Sequence, residues 1–181
     1  RYLRDYNPVR VSRSVRDTAY HAMQVRERLI NELERDPTPE EIAKELESLR
    51  EKVDVSFVLD NLEFLAKGGR CSAVAALGAN ILGIRPSLEM REGKLGMCKK
   101  YRGKIEKVQL QFVEERIESL GEIDDEFCFL THSPIDPEQA KALVEAVKAT
   151  GKFKDVIEAD AGCTITAHCG PNCVGFVAIK K

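Results

Sequence analysis

Apolar residues recur at helical spacing from Val15 through Ala19, Ala22, Met23, Leu29, Ile30 and Leu33. This spacing predicts a first helix from a cap at Ser12 or Ser14 to about Glu34. Before it, Asn7-Pro8 marks a turn in an extended start, because proline disfavours helix at the residue that precedes it. Asp36-Pro37-Thr38-Pro39 ends this helix and opens the next. Thr38 stands as N-cap, Pro39 suits the first turn, and Glu41 completes a capping box. Ile42, Leu46 and Leu49 mark one face of the second helix.

After Lys52 the pattern becomes that of alternating strands and helices. Val55–Leu59 reads as a strand, and Asp60 caps a short helix through Leu65 that Gly68-Gly69 stops. Ser72–Leu82, rich in Ala and Leu, predicts a buried helix. Ser87–Met90 and Lys94–Lys99 flank Arg91-Glu92-Gly93 as a hairpin. Lys104–Leu120 predicts a long amphipathic helix, Glu126–Thr131 a strand, and Asp136–Thr150 a helix with Pro137 first and Gly151 just past its end. Val156–Ala159, Thr164–His168 and Val174–Ile179 read as closing strands. The expected fold class is α/β, a mixed sheet sandwiched with helices and preceded by an N-terminal helical hairpin.

Hydrophobic residues make up 43% and charged residues 32% of the 181, which suits a globular chain and not a disordered one. The formal net charge is −2, yet the first 28 residues hold seven arginines against three acidic residues. Such a basic stretch suits phosphate contacts or a solvated helix face. No apolar run approaches the roughly 18 residues of a membrane span, and no signal peptide is visible. With six scattered cysteines, free thiols and a cytoplasmic location are expected.

Arg1-Tyr2-Leu3-Arg4-Asp5, then Val9-Arg10-Val11-Ser12-Arg13-Ser14-Val15-Arg16-Asp17, then Thr38-Pro39-Glu40-Glu41-Ile42-Ala43-Lys44-Glu45-Leu46 form a nearly gapless run. Over residues 1 to about 46 it resembles region 3 of bacterial sigma factors, most closely the sporulation type. The resemblance implies a helix on promoter DNA, with Arg10, Arg13 and Arg16 on phosphates and Ser14 and Asp17 facing the groove. Promoter DNA or RNA polymerase would be the partner. The regions that read the −10 and −35 elements have no counterpart here, so weak binding with little sequence preference is expected. A helical hairpin with no nucleic-acid role is the alternative.

A second set of pieces follows in order. Phe57-Val58-Leu59-Asp60-Asn61-Leu62-Glu63-Phe64-Leu65 leads into Lys67-Gly68-Gly69-Arg70. Ile84-Arg85-Pro86, Arg102-Gly103, Leu130-Thr131-His132 and Ile165-Thr166-Ala167-His168-Cys169-Gly170-Pro171 come after. From about residue 40 to 181 the chain resembles the C-terminal part of DegV-family proteins, which enclose a long-chain fatty acid between two domains. The resemblance implies that His168 holds the carboxylate, with Thr166 as a hydroxyl helper. It implies an acyl tunnel lined by the Ser72–Leu82 helix with Ile81, Leu82 and Ile84. Arg102 would sit near the mouth, where a fatty-acid kinase acts on the bound acid, and Arg70 would fix the Gly-Gly turn. The family's N-terminal half has no counterpart, so binding is expected to be impaired and exposed apolar surface to favour a homodimer.

The two resemblances meet between Pro39 and Leu46 and imply a chimera: a sigma-like segment over 1–46 and a DegV-like lipid-binding domain over 47–181. Cys163, His168, Cys169 and Cys173 fall within eleven residues, but C-x4-H-C-x3-C is not the spacing of paired zinc knuckles. Cys169-Gly170-Pro171-Asn172-Cys173 resembles a redox loop with one residue too many. His132 either approaches His168 or caps the Ser133-Pro134 turn. No nucleophile elbow, P-loop or dinucleotide fingerprint appears. The expectation is a non-enzymatic fatty-acid binder with no metal and no cofactor beyond the bound acid. The alternatives are a module for nucleic acid or RNA polymerase, or a protein-interaction module with neither parental activity.

Overall fold

The computed structural model describes residues 13–69, 83–91 and 93–181, with side chains from residue 18 onward. The Ser72–Leu82 helix expected from composition falls outside this set. The chain divides into two compact units, residues 1–51 and 52–181.

In the first unit, α1 (Arg13–Leu33) and α2 (Pro39–Lys52) form a hairpin. The capping box is present: Glu41 N donates to Thr38 Oγ1 at 3.3 Å, and Thr38 N donates to Glu41 Oε2 at 2.8 Å. Arg28 pairs with Glu45 across the hairpin, and Arg35 pairs with Glu41 at 2.6 Å. The apolar stripe is narrower than the sequence suggested. Val25 and Leu29, one turn apart, are buried, whereas Met23 is 63% exposed. No residue of α2 is buried, so Ile42, Leu46 and Leu49 are only half covered. Two helices share a single seam, which is too little surface to bury a full helical face.

The second unit is built on a six-stranded mixed sheet in the order β3-β2-β1-β6-β4-β5. Its strands are β1 (Val53–Val58), β2 (Ile84–Arg91), β3 (Lys94–Arg102), β4 (Phe127–His132), β5 (Asp155–Asp160) and β6 (Val174–Ile179). All neighbours are antiparallel except β4 and β5. A parallel pair needs a crossover, and helix α5 (Pro137–Ala149) supplies it. Pro86 lies in β2, which is not an edge strand. It is tolerated beside a bulge between Ser87 and Leu88, where Ser87 Oγ accepts from Lys99 N at 3.1 Å.

One sheet face carries α4 (Ile105–Ser119) and α5. The buried side chains of α4 are Ile105, Val108, Gln109, Phe112, Val113 and Ile117, one stripe at helical spacing. Val108, Phe112, Val113 and Ile117 pack with Leu143 and Val147 of α5 on Val58, Leu130 and Phe176 of the sheet. Asp136 caps α5 by accepting from Glu138 N at 2.9 Å and Gln139 N at 3.3 Å. Arg116 of α4 reaches buried Asp54 of β1 and Glu89 of β2, and Lys180 pairs with Asp54 at 2.6 Å.

The other sheet face carries two short helices, α3 (Glu63–Lys67) and α6 (Cys163–Cys169), over a second cluster of Leu59, Leu65, Leu88, Cys169 and Cys173. Helix α6 corrects the strand expected over Thr164–His168. Thr166 N donates to Gly162 O at 3.0 Å and Gly170 N to Thr166 O at 2.8 Å, both of which are helical bonds. Thr-Ile-Thr is β-prone, but packing of Cys169 into the second cluster overrides that preference. No helix among the described residues is long and apolar enough to cross a membrane.

Candidate functional site

Helices α3 and α6 meet through two glycines. A β-carbon on Gly68, at the C-cap of α3, would overlap His168 Nδ1 and come within 3.0 Å of Cε1. A β-carbon on Gly170, just past α6, would stand 2.7 Å from Cε2 of the Phe64 ring. Each helix therefore lays a ring on the other's glycine, and this fixes the His168 imidazole against the start of the Gly-Gly turn. His168 Nδ1 is buried, and it has no hydrogen-bond partner among the described residues. A buried, unpaired polar nitrogen costs on the order of 1–3 kcal/mol, which a bound acceptor would offset.

Thr166 does not share this face. Two residues apart on a helix, Thr166 and His168 point about 200° apart, whereas on a strand they would have shared a side. The Thr166 hydroxyl donates to Ala161 O at 3.2 Å and holds the start of α6. Ile84 and Arg102 are cross-strand partners at the end of the β2–β3 hairpin, Ile84 half-buried and Arg102 exposed. Beside them, Arg85 pairs with Asp60 at 2.9 Å, tying β2 to the entry of α3. Ile81, Leu82 and Arg70 lie outside the described residues. So does Arg10, and for Arg13, Ser14, Arg16 and Asp17 only their place in the α1 backbone is described.

His132, the last residue of β4, is engaged elsewhere. Nδ1 lies 3.1 Å from Ser133 O, and Nε2 lies 3.1 Å from Glu158 Oε1. Among the described residues no group of three or more His, Cys, Asp or Glu is arranged to hold a metal. A cleft of about 310 Å³ opens on the α4 face among Ser56, Tyr101, Phe112, Lys99, Glu115 and Arg116. Its charged groups are matched internally, Lys99 with Glu115 and Arg116 with Asp54. Sequence reasoning missed Gly68 as the platform of His168 and the contact between Cys169 and Cys173. The adjacent glycines and the paired cysteines were visible as signals, but not the helix that brings them together.

A mixed six-stranded sheet with helices on both faces defines an α/β fold. A solved fatty acid binding DegV family protein from Streptococcus agalactiae superposes with a TM-score of 0.69 at 27% identity, over 90% of this chain and 54% of that one. A DegV family protein from Thermus thermophilus, described for its fatty acid binding, matches with a TM-score of 0.63 at 27% identity, over 88% of this chain and 56% of that one. The family model described as "Uncharacterised protein, DegV family" matches residues 17–181. The chain belongs to the DegV family.

Among curated relatives, the fatty acid-binding protein of Thermotoga maritima is 31% identical over 149 residues, which is 80% of this chain and 50% of that protein. The chain thus spans about half the length of the DegV relatives it matches. A 63-residue segment, 35% of the chain, is 59% identical to the RNA polymerase sigma-G factor of Bacillus subtilis, of which it covers 24%. The two matches are those of a chimera of a sigma-like segment and a DegV domain.

Proposed function

We propose that the chain binds a long-chain fatty acid, with the His168 imidazole donating a hydrogen bond to the carboxylate. The buried Nδ1 that lacks a partner among the described residues carries this reading. It is preorganised by contact with Gly68 and aligned with a family whose solved members bind fatty acids. Ile81, Leu82 and Ile84 line the acyl chain in this reading, and Arg102 stands toward the mouth, where a fatty-acid kinase would reach the bound acid. One imidazole donor is a thin grip for a carboxylate. These 181 residues alone therefore bind more weakly than a full-length relative, and uncovered apolar surface favours a homodimer. The test is titration with a fluorescent long-chain fatty acid. Binding that His168→Ala weakens about tenfold or more, roughly one hydrogen bond to a charged group, supports the reading. Binding indifferent to His168 overturns it.

The identity to sigma-G over 63 residues favours a second reading, in which the α1 region engages DNA or RNA polymerase through Arg10, Arg13, Ser14, Arg16 and Asp17. Phosphate contacts make such binding fall steeply with salt. Duplex binding without that dependence, or no binding at low salt, excludes DNA as the partner and leaves RNA polymerase or another protein for the segment.

A further inference from the structure

The loop after His168 brings two thiols together. Cys169 ends α6 and Cys173 directly precedes β6, and the chain reverses between them through left-handed Gly170 (φ 76) and Asn172 (φ 59). Both cysteines are buried, 7% and 5% exposed, in the same cluster with Leu59, Leu65 and Leu88. Their side chains share one side of the turn, packed into that single cluster four residues apart. Both ends of the turn are anchored. Cys173 N donates to Ser133 Oγ at 2.9 Å, and its carbonyl accepts from Ser133 N at 3.0 Å. Gly170 N is held by Thr166 O, and Gly170 is seated against Phe64. Two buried thiols of one cluster, four residues apart on anchored backbones, have little entropy to lose in forming a bond.

We propose that Cys169 and Cys173 form a reversible intramolecular disulfide when the protein meets hydrogen peroxide, and that this bond resets the last turn of α6 and with it the His168 imidazole.

The chemistry assigns each sulfur a part. The hydrogen bond from Cys173 holds the Cys169 thiol below its ordinary range although burial opposes this, and Cys173 is raised in turn. Cys128 is pushed up to about 12 by burial, so it stays a thiol. The Cys169 thiolate attacks the peroxide O–O bond, which gives a sulfenic acid on Cys169 and releases one water once the departing oxygen is protonated. The Cys173 sulfur then attacks the Cys169 sulfur. The S–S bond forms, the S–O bond breaks, and hydroxide leaves as a second water with the Cys173 proton. Two thiols and one peroxide become one disulfide and two waters, so the two electrons lost by sulfur reduce the peroxide. The effect on the site rests on the fatty-acid reading above, whereas the disulfide itself does not.

The test uses the intact 181-residue protein treated with hydrogen peroxide, then denatured, alkylated and digested with trypsin. Peptide 155–180 carries Cys163, Cys169 and Cys173, so a Cys163→Ser background removes the third thiol. In that background the peptide is expected to lose the mass of two hydrogens and both alkylation sites, and to regain them with dithiothreitol. Cys169 and Cys173 still fully alkylated after Cys98 has oxidised would overturn the proposal. Fatty-acid titration of oxidised against reduced protein then reads the coupling. A change of severalfold supports it, and equal affinity overturns the coupling while leaving the disulfide standing. Absence of binding by the reduced protein overturns the fatty-acid reading, not the disulfide.

Discussion

Gly68 stands so close to the His168 imidazole that a side chain of any size at position 68 would displace the ring. Its backbone is ordinary, with φ −77, so glycine is required there for space and not for conformation. Its neighbour is the opposite case. Gly69 has φ 71, and a β-carbon there would meet nothing within 4 Å among the described residues. The two glycines of one turn thus serve two different needs.

Substitution separates them. Gly68→Ala is expected to cost about 1–3 kcal/mol through overpacking and to abolish any ligand contact made by His168. Gly69→Ala is expected to cost about 1–2 kcal/mol through the left-handed backbone alone and to leave the imidazole in place. Denaturant unfolding combined with fatty-acid titration distinguishes the pair. Equal binding by both variants would refute the steric role of Gly68.

The buried charges under α4 predict acid sensitivity. Burial disfavours the Asp54 carboxylate, but hydrogen bonds from Lys180 and Arg116 outweigh it and hold its pKa below the ordinary value. A depressed folded-state pKa contributes stability above the unfolded value of about 4 and loses it as pH falls through the folded value. Asp54→Asn should therefore flatten the stability–pH curve below about pH 4. Arg116→Ala removes the cation shared by Asp54 and Glu89, which keep Lys180 and Arg91 as partners, and should cost about 1–3 kcal/mol at neutral pH. Urea unfolding across pH measures both.

In the first unit, Glu41 is lowered to about 2, chiefly by the hydrogen bond from Arg35 and then by the Thr38 backbone N–H. Arg35→Gln is expected to raise the Glu41 pKa toward 4.5, followed by NMR titration of its side-chain carboxyl. Thr38→Ala should cost about 1 kcal/mol by removing the N-cap. A Glu41 titration indifferent to Arg35 would contradict the pairing.

The helices with strong punctuation were legible in the sequence. Asp136-Pro137 and Gly151 bracket α5, and Thr38 to Glu41 form the cap of α2, because local hydrogen bonds decide those ends. Helix α6 was not legible. Thr164-Ile165-Thr166 carries β propensity, and the helix is held by contacts with α3, about a hundred residues earlier. In that helix the Thr166 hydroxyl donates to Ala161 O. The narrow seam of α1 was missed for a related reason. Periodicity marks which residues are apolar, but a neighbour's surface decides which become buried. His168 itself was found through its resemblance to a family motif, and its unpaired nitrogen emerged only from the packing.

Native mass spectrometry of the purified protein tests most directly whether His168 anchors a fatty acid. The account predicts an adduct of long-chain fatty-acid mass that is released on denaturation and lost in His168→Ala, while that variant stays folded. A folded protein that carries no such adduct, even after incubation with excess fatty acid, or one that keeps the adduct in His168→Ala, would contradict it.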